Sequence, residues 1–467
     1  MIRRGETICA PATSGGGAIA VIRISGPESI RICDSLFVSE VKGKTLAGQN
    51  GNTILYGTIR SGTEIIDDVL VSIFRAPNSY TGEDSVEISC HASPFIQQKI
   101  LELLIKSGAV TALPGEFTQR AFLNGKMDLS QAEAVADLIA SESERAHKLA
   151  INQMRGVFAE EIKKLRNDLL HFSSLIELEL DFGEEDVEFA DRNALRELIT
   201  GVLKVTKDLC SSFVAGNAIK NGIPVTITGP PNTGKSTLLN RLLNEEKAIV
   251  SEIPGTTRDF IEDSVIIDGI RYRFIDTAGL RESSDVIENM GIKRAYEKIS
   301  GAIVILLVAD ILEGSASLLP ALESVRAHAG TEKKKLVVLI NKCDSDDGSG
   351  RKELEGNIEL RENESILFIS AKTGDGIDQL RAHLQSITGI DRALSETVIV
   401  SNIRHYEALL RVTGSLERVL QGLETDLPED LIAIDVRQAV HYLGEITGEI
   451  TNDEILGNIF RNFCIGK

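Results

Sequence analysis

The sequence is poor in the features that mark secreted, zinc-binding and membrane-spanning proteins. Its six cysteines are scattered singly and form no CxxC pair, which excludes a disulfide framework and a structural zinc site. Its longest uninterrupted apolar run, 302–309, has eight residues, whereas a transmembrane helix needs about 20. The opening residues MIRRGETICA contain no apolar stretch typical of a signal peptide. We therefore expect a protein of the reducing cytoplasm that has no membrane partner.

The sequence also has fewer basic than acidic residues. Fifty lysines and arginines stand against sixty-nine aspartates and glutamates, so the net charge is −19. General attraction to a nucleic-acid backbone is therefore excluded as the main source of affinity, and any nucleic-acid contact requires a local basic patch. The hydrophobic fraction of 42% and the charged fraction of 25% are typical of globular proteins. At about 150 residues per domain, the 467 residues predict about three domains.

The hydrophobic pattern changes along the chain and divides it into regions. Short β-branched runs separated by glycine, proline and serine predict a mixed α/β domain over residues 1–120. Apolar residues spaced by three and four predict long helices over 121–217 and again over 389–467. Between them, residues 218–388 repeat strand, loop and helix, which is typical of a parallel α/β sheet. Because insertions are tolerated where their ends lie close together, we predict that this α/β unit is inserted into one helical domain.

A phosphate-binding motif begins the α/β unit. The segment GPPNTGKS at residues 229–236 fits the pattern GxxxxGKS, and it lies between a predicted strand and a predicted helix, as the motif requires. The backbone N–H groups of such a loop surround phosphates; Lys235 is expected to neutralise the β- and γ-phosphate oxygens, and Ser236 to bind Mg²⁺. The predicted phosphate contacts are Asn232, Thr233, Gly234, Lys235, Ser236 and Thr237.

The tetrapeptide NKCD at residues 341–344 indicates which base is bound. The Asp344 carboxylate can accept both the ring N–H and the exocyclic amine of guanine, donors that adenine lacks, so GTP is expected rather than ATP. The tetrapeptide alone also fits a helix cap. It stands, however, about 110 residues after the phosphate loop, and SAK at 370–372 follows a further strand, where it would enclose the base. The predicted base contacts are Asn341, Lys342, Asp344, Ser370, Ala371 and Lys372.

Two further motifs predict contacts to Mg²⁺ and to the γ-phosphate. In DTAG at 276–279, Asp276 would hold Mg²⁺ through water and the Gly279 N–H would contact the γ-phosphate. Upstream, GTTRD at 255–259 supplies Thr257 as a second Mg²⁺ ligand. The predicted contacts in these two segments are Ser251, Glu252, Ile253, Pro254, Gly255, Thr256, Thr257, Asp276, Thr277, Ala278 and Gly279. The dipeptide at 268–269, Asp-Gly, predicts a hairpin with a type I′ turn between the two motifs.

Leu280 departs from the pattern of Ras-like enzymes. They carry a water-orienting glutamine at this position, whereas a leucine side chain neither donates nor accepts a hydrogen bond. Three carboxylates follow closely enough to reach the attacking water, Glu282, Asp285 and Glu288, and these residues alone leave the choice among them open. The attacking water must therefore be oriented by a different group than in Ras. The sequence also shows no arginine in an obvious position to act as an arginine finger on the phosphates.

These motifs resemble the MnmE (TrmE) family of tRNA-modifying GTPases over essentially the whole chain. The N-terminal part contains AIAVIRISGP, PNSYTGEDSVEISCH and PGEFTQRAFLNGKMDLSQAEAVADLI. The α/β unit contains GPPNTGKS, GTTRD and DTAGLR, and the chain ends in LGEITGEITNDEILGNIFRNFCIGK. The resemblance implies an α/β tetrahydrofolate-binding and dimerisation domain, a helical domain in two parts, and a Ras-like P-loop G domain inserted between those parts. It implies a homodimer that works on tRNA with an FAD-dependent partner, MnmG. Together they add an aminomethyl or carboxymethylaminomethyl group at C5 of the wobble uridine, using a folate one-carbon unit.

The resemblance also implies particular ligands. A K⁺ ion takes the place of an arginine finger, and Glu288 organises the attacking water. The implied K⁺ ligands are Asn232, Ser251, Ile253 and Thr256. The folate, 5-formyltetrahydrofolate or a relative, would be bound by Arg23, Glu87, Lys126 and Lys467. Cys464, in the terminal CIGK, would be a nucleophile or redox group; the alternative is an inert small apolar residue.

A second class of function fits the α/β unit taken alone. Its motifs also suit a GTP-dependent switch in ribosome assembly, whose outer domains would only bind. The CIGK tail and the N-terminal block favour the modification enzyme, because an assembly factor needs neither.

Overall fold

The computed structural model describes residues 5–13, 16–181, 192–244, 263–275, 301–329, 334–388, 398–425, 427–451, 453–461, 463 and 466. These residues form two separate β-sheets and a set of long helices. Within these ranges, no helix combines the length and the apolar character needed to cross a membrane.

The first sheet has seven strands in the order β3-β4-β5-β6-β2-β1-β7. They are β1 (Ile8–Pro11), β2 (Ile19–Ser25), β3 (Phe37–Ser39), β4 (Thr53–Ser61), β5 (Glu64–Phe74), β6 (Ser85–His91) and β7 (Val110–Thr111). Neighbours are antiparallel except β1 and β7. Alternation along β2 buries Ala20, Ile22 and Ile24 and leaves Arg23 on the open face. Helices α1 (Ser29–Leu36) and α2 (Pro94–Lys106) pack on the buried face.

Five helices follow the first sheet in the described residues up to 221. They are α3 (Glu116–Leu123), α4 (Leu129–Ala140), α5 (Glu144–Met154), α6 (Val157–Asp181) and α7 (Arg192–Asn221). A capping box begins α4: the Asp128 carboxylate accepts from the Gln131 N–H at 3.0 Å, and the Gln131 side chain accepts from the Asp128 N–H at 2.9 Å. The helical character expected for this region is confirmed. Helix α7 continues to Asn221, four residues beyond the predicted end of this helical region at residue 217.

The second sheet has six strands in the order β13-β12-β11-β8-β10-β9. They are β8 (Ile223–Thr228), β9 (Asp263–Ile267), β10 (Ile270–Phe274), β11 (Val304–Asp310), β12 (Lys335–Asn341) and β13 (Glu364–Phe368). All neighbours are parallel except β9 and β10, so the predicted parallel sheet is confirmed. In the described part of this unit the helices are α8 (Lys235–Asn244), α9 (Gly314–His328), α10 (Ser349–Asn357) and α11 (Ile377–Thr388). The predicted hairpin turn is also present, with positive φ at Asp268 and Gly269, as type I′ requires.

The chain then returns to helices, and the two helical parts share one core. The last helices are α12 (Ile403–Glu424), α13 (Glu429–Thr447) and α14 (Asp453–Arg461). Ile162 of α6 and Ile199 of α7 belong to the same buried cluster as Leu416 of α12 and Val436 of α13. The α/β unit is therefore inserted into the helical domain, as predicted.

Contacts on α5 and α7 hold the inserted unit. Leu149 of α5 and Ile219 of α7 share a buried apolar cluster with Tyr272 of β10. The Gln153 side chain donates to Ser401 Oγ at 3.0 Å, in the segment that leads from the α/β unit into α12. Helix α5 therefore contacts both the hairpin and the exit of the inserted unit.

The C-terminal end folds back onto the N-terminal region. Leu456 and Phe460 of α14 pack with Leu129 of α4. Further on, Gly466 has a φ of 93°, and a Cβ at this position would lie only 1.9 Å from the Pro11 carbonyl oxygen. Glycine is required there, because its backbone conformation and the close approach of β1 both exclude a side chain.

Candidate functional site

The phosphate-binding loop joins β8 to α8. Gly229, Asn232 and Gly234 have φ of 137°, 60° and 93°. A Cβ on Gly229 would lie 2.1 Å from the Val308 carbonyl oxygen, and one on Gly234 would lie 2.3 Å from Asn341 Nδ2. Both positions thus require glycine. The resulting turn brings the loop to the N-terminus of α8, where backbone N–H groups are suited to bind an anion.

Lys235, the first residue of α8, folds its ammonium group back over this loop. Its Nζ donates to the carbonyl oxygens of Gly229 at 3.0 Å and Pro230 at 2.5 Å, and burial lowers the pKa of this lysine. Carbonyl oxygens carry only partial negative charge, so a phosphate in the loop would bind this ammonium more strongly. Ser236 and Thr237 follow in the first turn of α8.

Asn341 connects the phosphate loop to the base side of the site. Its buried side chain donates from Nδ2 to the Thr233 carbonyl oxygen at 2.8 Å and accepts at Oδ1 from the Ala371 N–H at 2.9 Å. Thr233 is itself buried, and its hydroxyl donates to the Pro230 carbonyl oxygen at 3.0 Å. One amide group thus fixes the segments that follow β8, β12 and β13 relative to one another.

Asp344 lies exposed at the rim, where Ser370 orients it. The Ser370 hydroxyl donates to Asp344 Oδ1 at 2.7 Å, and this hydrogen bond lowers the pKa of the Asp344 carboxyl. An ionised carboxylate with a fixed orientation is suited to accept two parallel N–H bonds. Guanine offers such a pair of donors on its N1 edge, and Lys372, also exposed, follows on the same segment.

Two contacting residues were missed by the sequence analysis. Arg241 on α8 donates from Nη2 to the Lys372 carbonyl oxygen at 3.4 Å and thereby ties the phosphate-loop helix to the SAK segment. Asp310, the last residue of β11, binds the Lys342 ammonium at 2.5 Å. A sequence signal existed for Asp310, since a carboxylate that ends an apolar strand needs a buried partner. Arg241 carries no comparable signal, because arginines are common on helix surfaces.

The two predicted switch segments, the predicted water-organising Glu288 and the tail residues Cys464 and Lys467 lie outside the described residues. The predicted site residues concerned are Ser251, Glu252, Ile253, Pro254, Gly255, Thr256, Thr257, Asp276, Thr277, Ala278, Gly279, Glu288, Cys464 and Lys467. Their roles stay predictions. The part of the site that is described brings the phosphate loop together with the NKCD and SAK segments.

A second polar cluster lies on the open face of the first sheet. Arg23 of β2 and Glu87 of β6 are cross-strand partners, and Arg23 Nε and Nη2 contact Glu87 Oε1 at 2.9 and 2.8 Å. The rings of Tyr80 and Phe117 lie 5.3 and 5.7 Å from the guanidinium carbon. Both charged side chains remain partly exposed and are therefore accessible to a ligand.

The C-terminal tail reaches this cluster. Arg23 Nη1 donates to the Gly466 carbonyl oxygen at 3.4 Å. Lys126 lies between α3 and α4, and its Nζ donates to the carbonyl oxygen of Pro77, on the loop between β5 and β6, at 2.9 Å. The structure therefore brings Arg23, Glu87 and the end of the chain together, and it places Lys126 against the loop that carries Tyr80.

The five described cysteines are unpaired and sit in the interior wholly or in part. They are Cys9, Cys33, Cys90, Cys210 and Cys343. Burial raises the pKa of Cys9 and of Cys90 to about 11, so these two are thiols rather than nucleophilic thiolates at neutral pH. Among the residues that the structure describes, no three histidine, cysteine, aspartate or glutamate side chains converge to hold a metal ion.

Comparisons with known proteins cover nearly the whole chain. Among solved structures, the G domain of the T. maritima FeoB iron transporter matches 36% of this chain and 98% of that chain at 28% identity, with a TM-score of 0.26. The family model for the GTP-binding protein TrmE N-terminus matches residues 7–126, and that for the MnmE helical domain matches residues 129–464. A tRNA modification GTPase MnmE of Flavobacterium psychrophilum is 54% identical over 99% of both chains, and one of Bacteroides thetaiotaomicron is 51% identical over 99% of both. The chain therefore belongs to the MnmE family of tRNA modification GTPases.

Proposed function

We propose that this protein hydrolyses GTP and, with the FAD-dependent partner MnmG, modifies the wobble uridine, position 34, of certain tRNAs in the cytoplasm. The modification adds an aminomethyl or carboxymethylaminomethyl group at C5, with the carbon supplied by 5-formyltetrahydrofolate or a related folate. One observation carries the proposal: the chain end lies against Arg23, beside Glu87. A tail held at a charged cluster of the first sheet serves a reaction there, because GTP hydrolysis in the other sheet does not need it.

The domains divide this work. We assign folate binding and dimerisation to residues 1–120, GTP hydrolysis to 218–388, and the helical domain to 121–217 and 389–467. In the described chain, α7 ends at Asn221 and β8 begins at Ile223, so the polypeptide enters the α/β unit at Gly222.

Two cations complete the proposed GTP site. The Ser236 hydroxyl, next to Lys235 at the start of α8, fits a Mg²⁺ ligand because Mg²⁺ prefers hard oxygen donors, and Thr257 is the proposed second ligand. Asn232 is exposed, and its left-handed backbone turns the chain at the loop tip, which suits an amide oxygen ligand for K⁺. The other proposed K⁺ ligands are Ser251, Ile253 and Thr256. Bound there, the cations would neutralise charge that develops on the phosphates.

The K⁺ assignment has a direct test in hydrolysis rates. We expect faster GTP turnover in K⁺ than in Na⁺ at matched ionic strength and saturating Mg²⁺, because the coordination shell suits one ionic radius. Equal rates in the two salts would overturn the assignment.

The Arg23 and Glu87 cluster fits a folate by charge. A guanidinium suits the anionic glutamate tail of a folate, and a carboxylate can accept from pterin N–H groups. Tyr80 supplies an aromatic surface beside them. Lys126 and Lys467 are the two further cations proposed for the anionic tail.

The same open sheet face supports a homodimer. Ile54, Tyr56 and Leu70 on this face are 65, 54 and 48% exposed, and Tyr56 and Leu70 are cross-strand partners. Neighbouring exposed apolar side chains mark interaction surfaces. We assign the part of this face that carries these three residues to a second copy of the chain, and we propose that tRNA and MnmG bind elsewhere.

Nucleoside analysis of tRNA tests the whole proposal. A strain that lacks this protein is complemented with the wild type, with Glu87→Gln or with the control Glu64→Gln, an exposed carboxylate of the same domain. We expect the wild type and the control to restore C5-substituted wobble uridines. Glu87→Gln should not restore them, although its purified protein hydrolyses GTP normally.

Two outcomes would contradict the proposal. If the deletion strain has the same C5-substituted wobble uridines as the wild type, this protein is not required for the modification and the proposal is wrong. Co-sedimentation of the purified protein with ribosomal subunits, without capture of a flavoprotein, would favour the assembly switch instead.

A further inference from the structure

Asp310 is a buried carboxylate that stands outside the nucleotide motifs. It ends β11 and lies opposite Asn341, the last residue of β12, and its side chain is only 7% exposed. Its Oδ1 accepts from the Leu312 N–H at 3.0 Å and caps the short 3₁₀ turn that follows. Its Oδ2 accepts from Lys342 Nζ at 2.5 Å. Both oxygens thus have partners, and the negative charge is met by Lys342.

Lys342 joins the two halves of the proposed base site. Its backbone is left-handed, with φ of 67° and ψ of 30°, a conformation that is unfavourable for a residue with a Cβ. It lies between Asn341, which binds the Thr233 carbonyl, and Asp344, which Ser370 orients. The Lys342 side chain is 38% exposed. Because a buried carboxylate holds its ammonium, we expect the exposed part to include its methylene groups.

We infer that Asp310 is a positioning residue for the nucleotide base. It holds Lys342 so that the methylene stem of the lysine forms an apolar wall for the face of the base, while Asp344 recognises the edge. This inference rests on the guanine site proposed above. The two aspartates then have separate tasks: Asp344 selects guanine, and Asp310 strengthens the binding of any purine that enters.

The physical reason is preorganisation. A lysine side chain has four rotatable bonds, and ordering it when a ligand binds reduces the affinity. The ion pair with Asp310 orders Lys342 before the nucleotide arrives. An apolar stem contacts the ring face and not the exocyclic groups, so its contribution is the same for guanine and for hypoxanthine, which lacks the amine at C2.

Asp310→Asn tests this role, because asparagine keeps an oxygen to cap Leu312 and loses the charge that holds Lys342. The Kd values for GTP and ITP are measured calorimetrically on the full chain, together with kcat at saturating GTP. We expect both nucleotides to bind about tenfold more weakly, with the ratio of their affinities and kcat unchanged. The matched control is Asp347→Asn, an exposed carboxylate close by that accepts from the Ser349 N–H and hydroxyl. It should alter neither affinity.

A second variant separates positioning from folding. Asp310→Asn combined with Lys342→Met keeps an unbranched apolar stem and removes the charge that needed an anchor, so it should recover most of the lost affinity. If Asp310→Asn alone does not fold, near wild-type affinity of the double variant supports the inference and a tenfold loss overturns it.

Three results would overturn the inference. They are unchanged affinities in Asp310→Asn, a changed ratio of ITP to GTP affinity, and a double variant that binds no better than the single one. A failure of the guanine site itself is distinguishable, because it would leave GTP affinity unchanged in Asp344→Asn.

Discussion

Arg404 and Glu133 are separated by 271 residues and form a bidentate ion pair inside the protein. Arg404 Nε donates to Glu133 Oε1 at 2.8 Å, and Nη2 donates to Oε2 at 2.9 Å. Nη1 donates to the Glu445 carbonyl oxygen at 2.6 Å, and the buried His405 contacts Glu133 Oε2 at 2.7 Å. Glu133 belongs to α4, and Arg404 lies in the first turn of α12. The pair therefore fastens the helices before the inserted unit to those after it.

Removing this carboxylate should destabilise the protein strongly. We expect Glu133→Ala to lower the free energy of unfolding by about 3 kcal/mol, because it leaves the partly buried Arg404 guanidinium without its anion. Urea unfolding of the purified protein measures the change. The control is Glu417→Ala, which breaks an exposed pair with Lys207 and should cost less than about 1 kcal/mol. A similar loss of unfolding free energy in both variants would show that the ion pairs of Glu133 stabilise the protein no more than an exposed ion pair does.

The same carboxylate predicts a dependence on pH. Burial opposes its ionisation, but His405 and Arg404 together outweigh burial and lower the pKa of Glu133 to about 2. Since the folded pKa lies below the unfolded one, the stabilisation is present above the unfolded pKa of 4.5 and is lost as the pH falls toward 2. The stability difference between the wild type and Glu133→Gln should therefore shrink from about pH 5 to about pH 3. A constant difference over that range would contradict the assignment.

The base assignment predicts an exchange of nucleotide specificity. Asp344→Asn should bind GTP more weakly and XTP more tightly, because an amide donates to the C2 oxygen of xanthine where a carboxylate accepts from the amine of guanine. Competition binding with both nucleotides measures the exchange. Unchanged GTP affinity in Asp344→Asn would mean that another group recognises the base.

Glu288→Ala should slow GTP turnover by about 100-fold and leave GTP affinity nearly intact, because a group that organises the attacking water acts mainly in the transition state. Single-turnover hydrolysis in K⁺ separates the two effects. Glu282→Ala and Asp285→Ala are the matched controls and should retain most of the activity. If one of these loses turnover and Glu288→Ala does not, a different carboxylate holds the water.

The docked tail predicts a separation of the two activities. Gly466→Ala should displace the tail from Arg23, because its Cβ would collide with the Pro11 carbonyl oxygen and its φ is 93°. We expect loss of tRNA modification in a complemented deletion strain, with normal GTP hydrolysis by the purified protein. Gly457→Ala in α14 is the control, since its Cβ meets no atom within 4 Å. Full modification by Gly466→Ala would show that docking at Pro11 is dispensable.

Local backbone requirements made the turns predictable, whereas one helix end was not. Type I′ geometry at Asp268 follows from two adjacent residues and needs no distant contact. Helix α7 passes the predicted end because Ala218 and Ile219 are buried against the inserted unit. Gly216, which weakens a helix in isolation, is needed there: a Cβ would lie 2.1 Å from the Val400 carbonyl oxygen.

The sequence by itself determined the features whose information is local: the phosphate loop, the NKCD segment, the parallel strands and the membership in a family. Only the tertiary structure decided that Asp310 anchors Lys342 and that the tail meets Arg23. These contacts join residues 32 and 443 positions apart. They depend on how sheets and helices pack, and a pattern of neighbouring residues carries no information about which distant side chain will fill a given place.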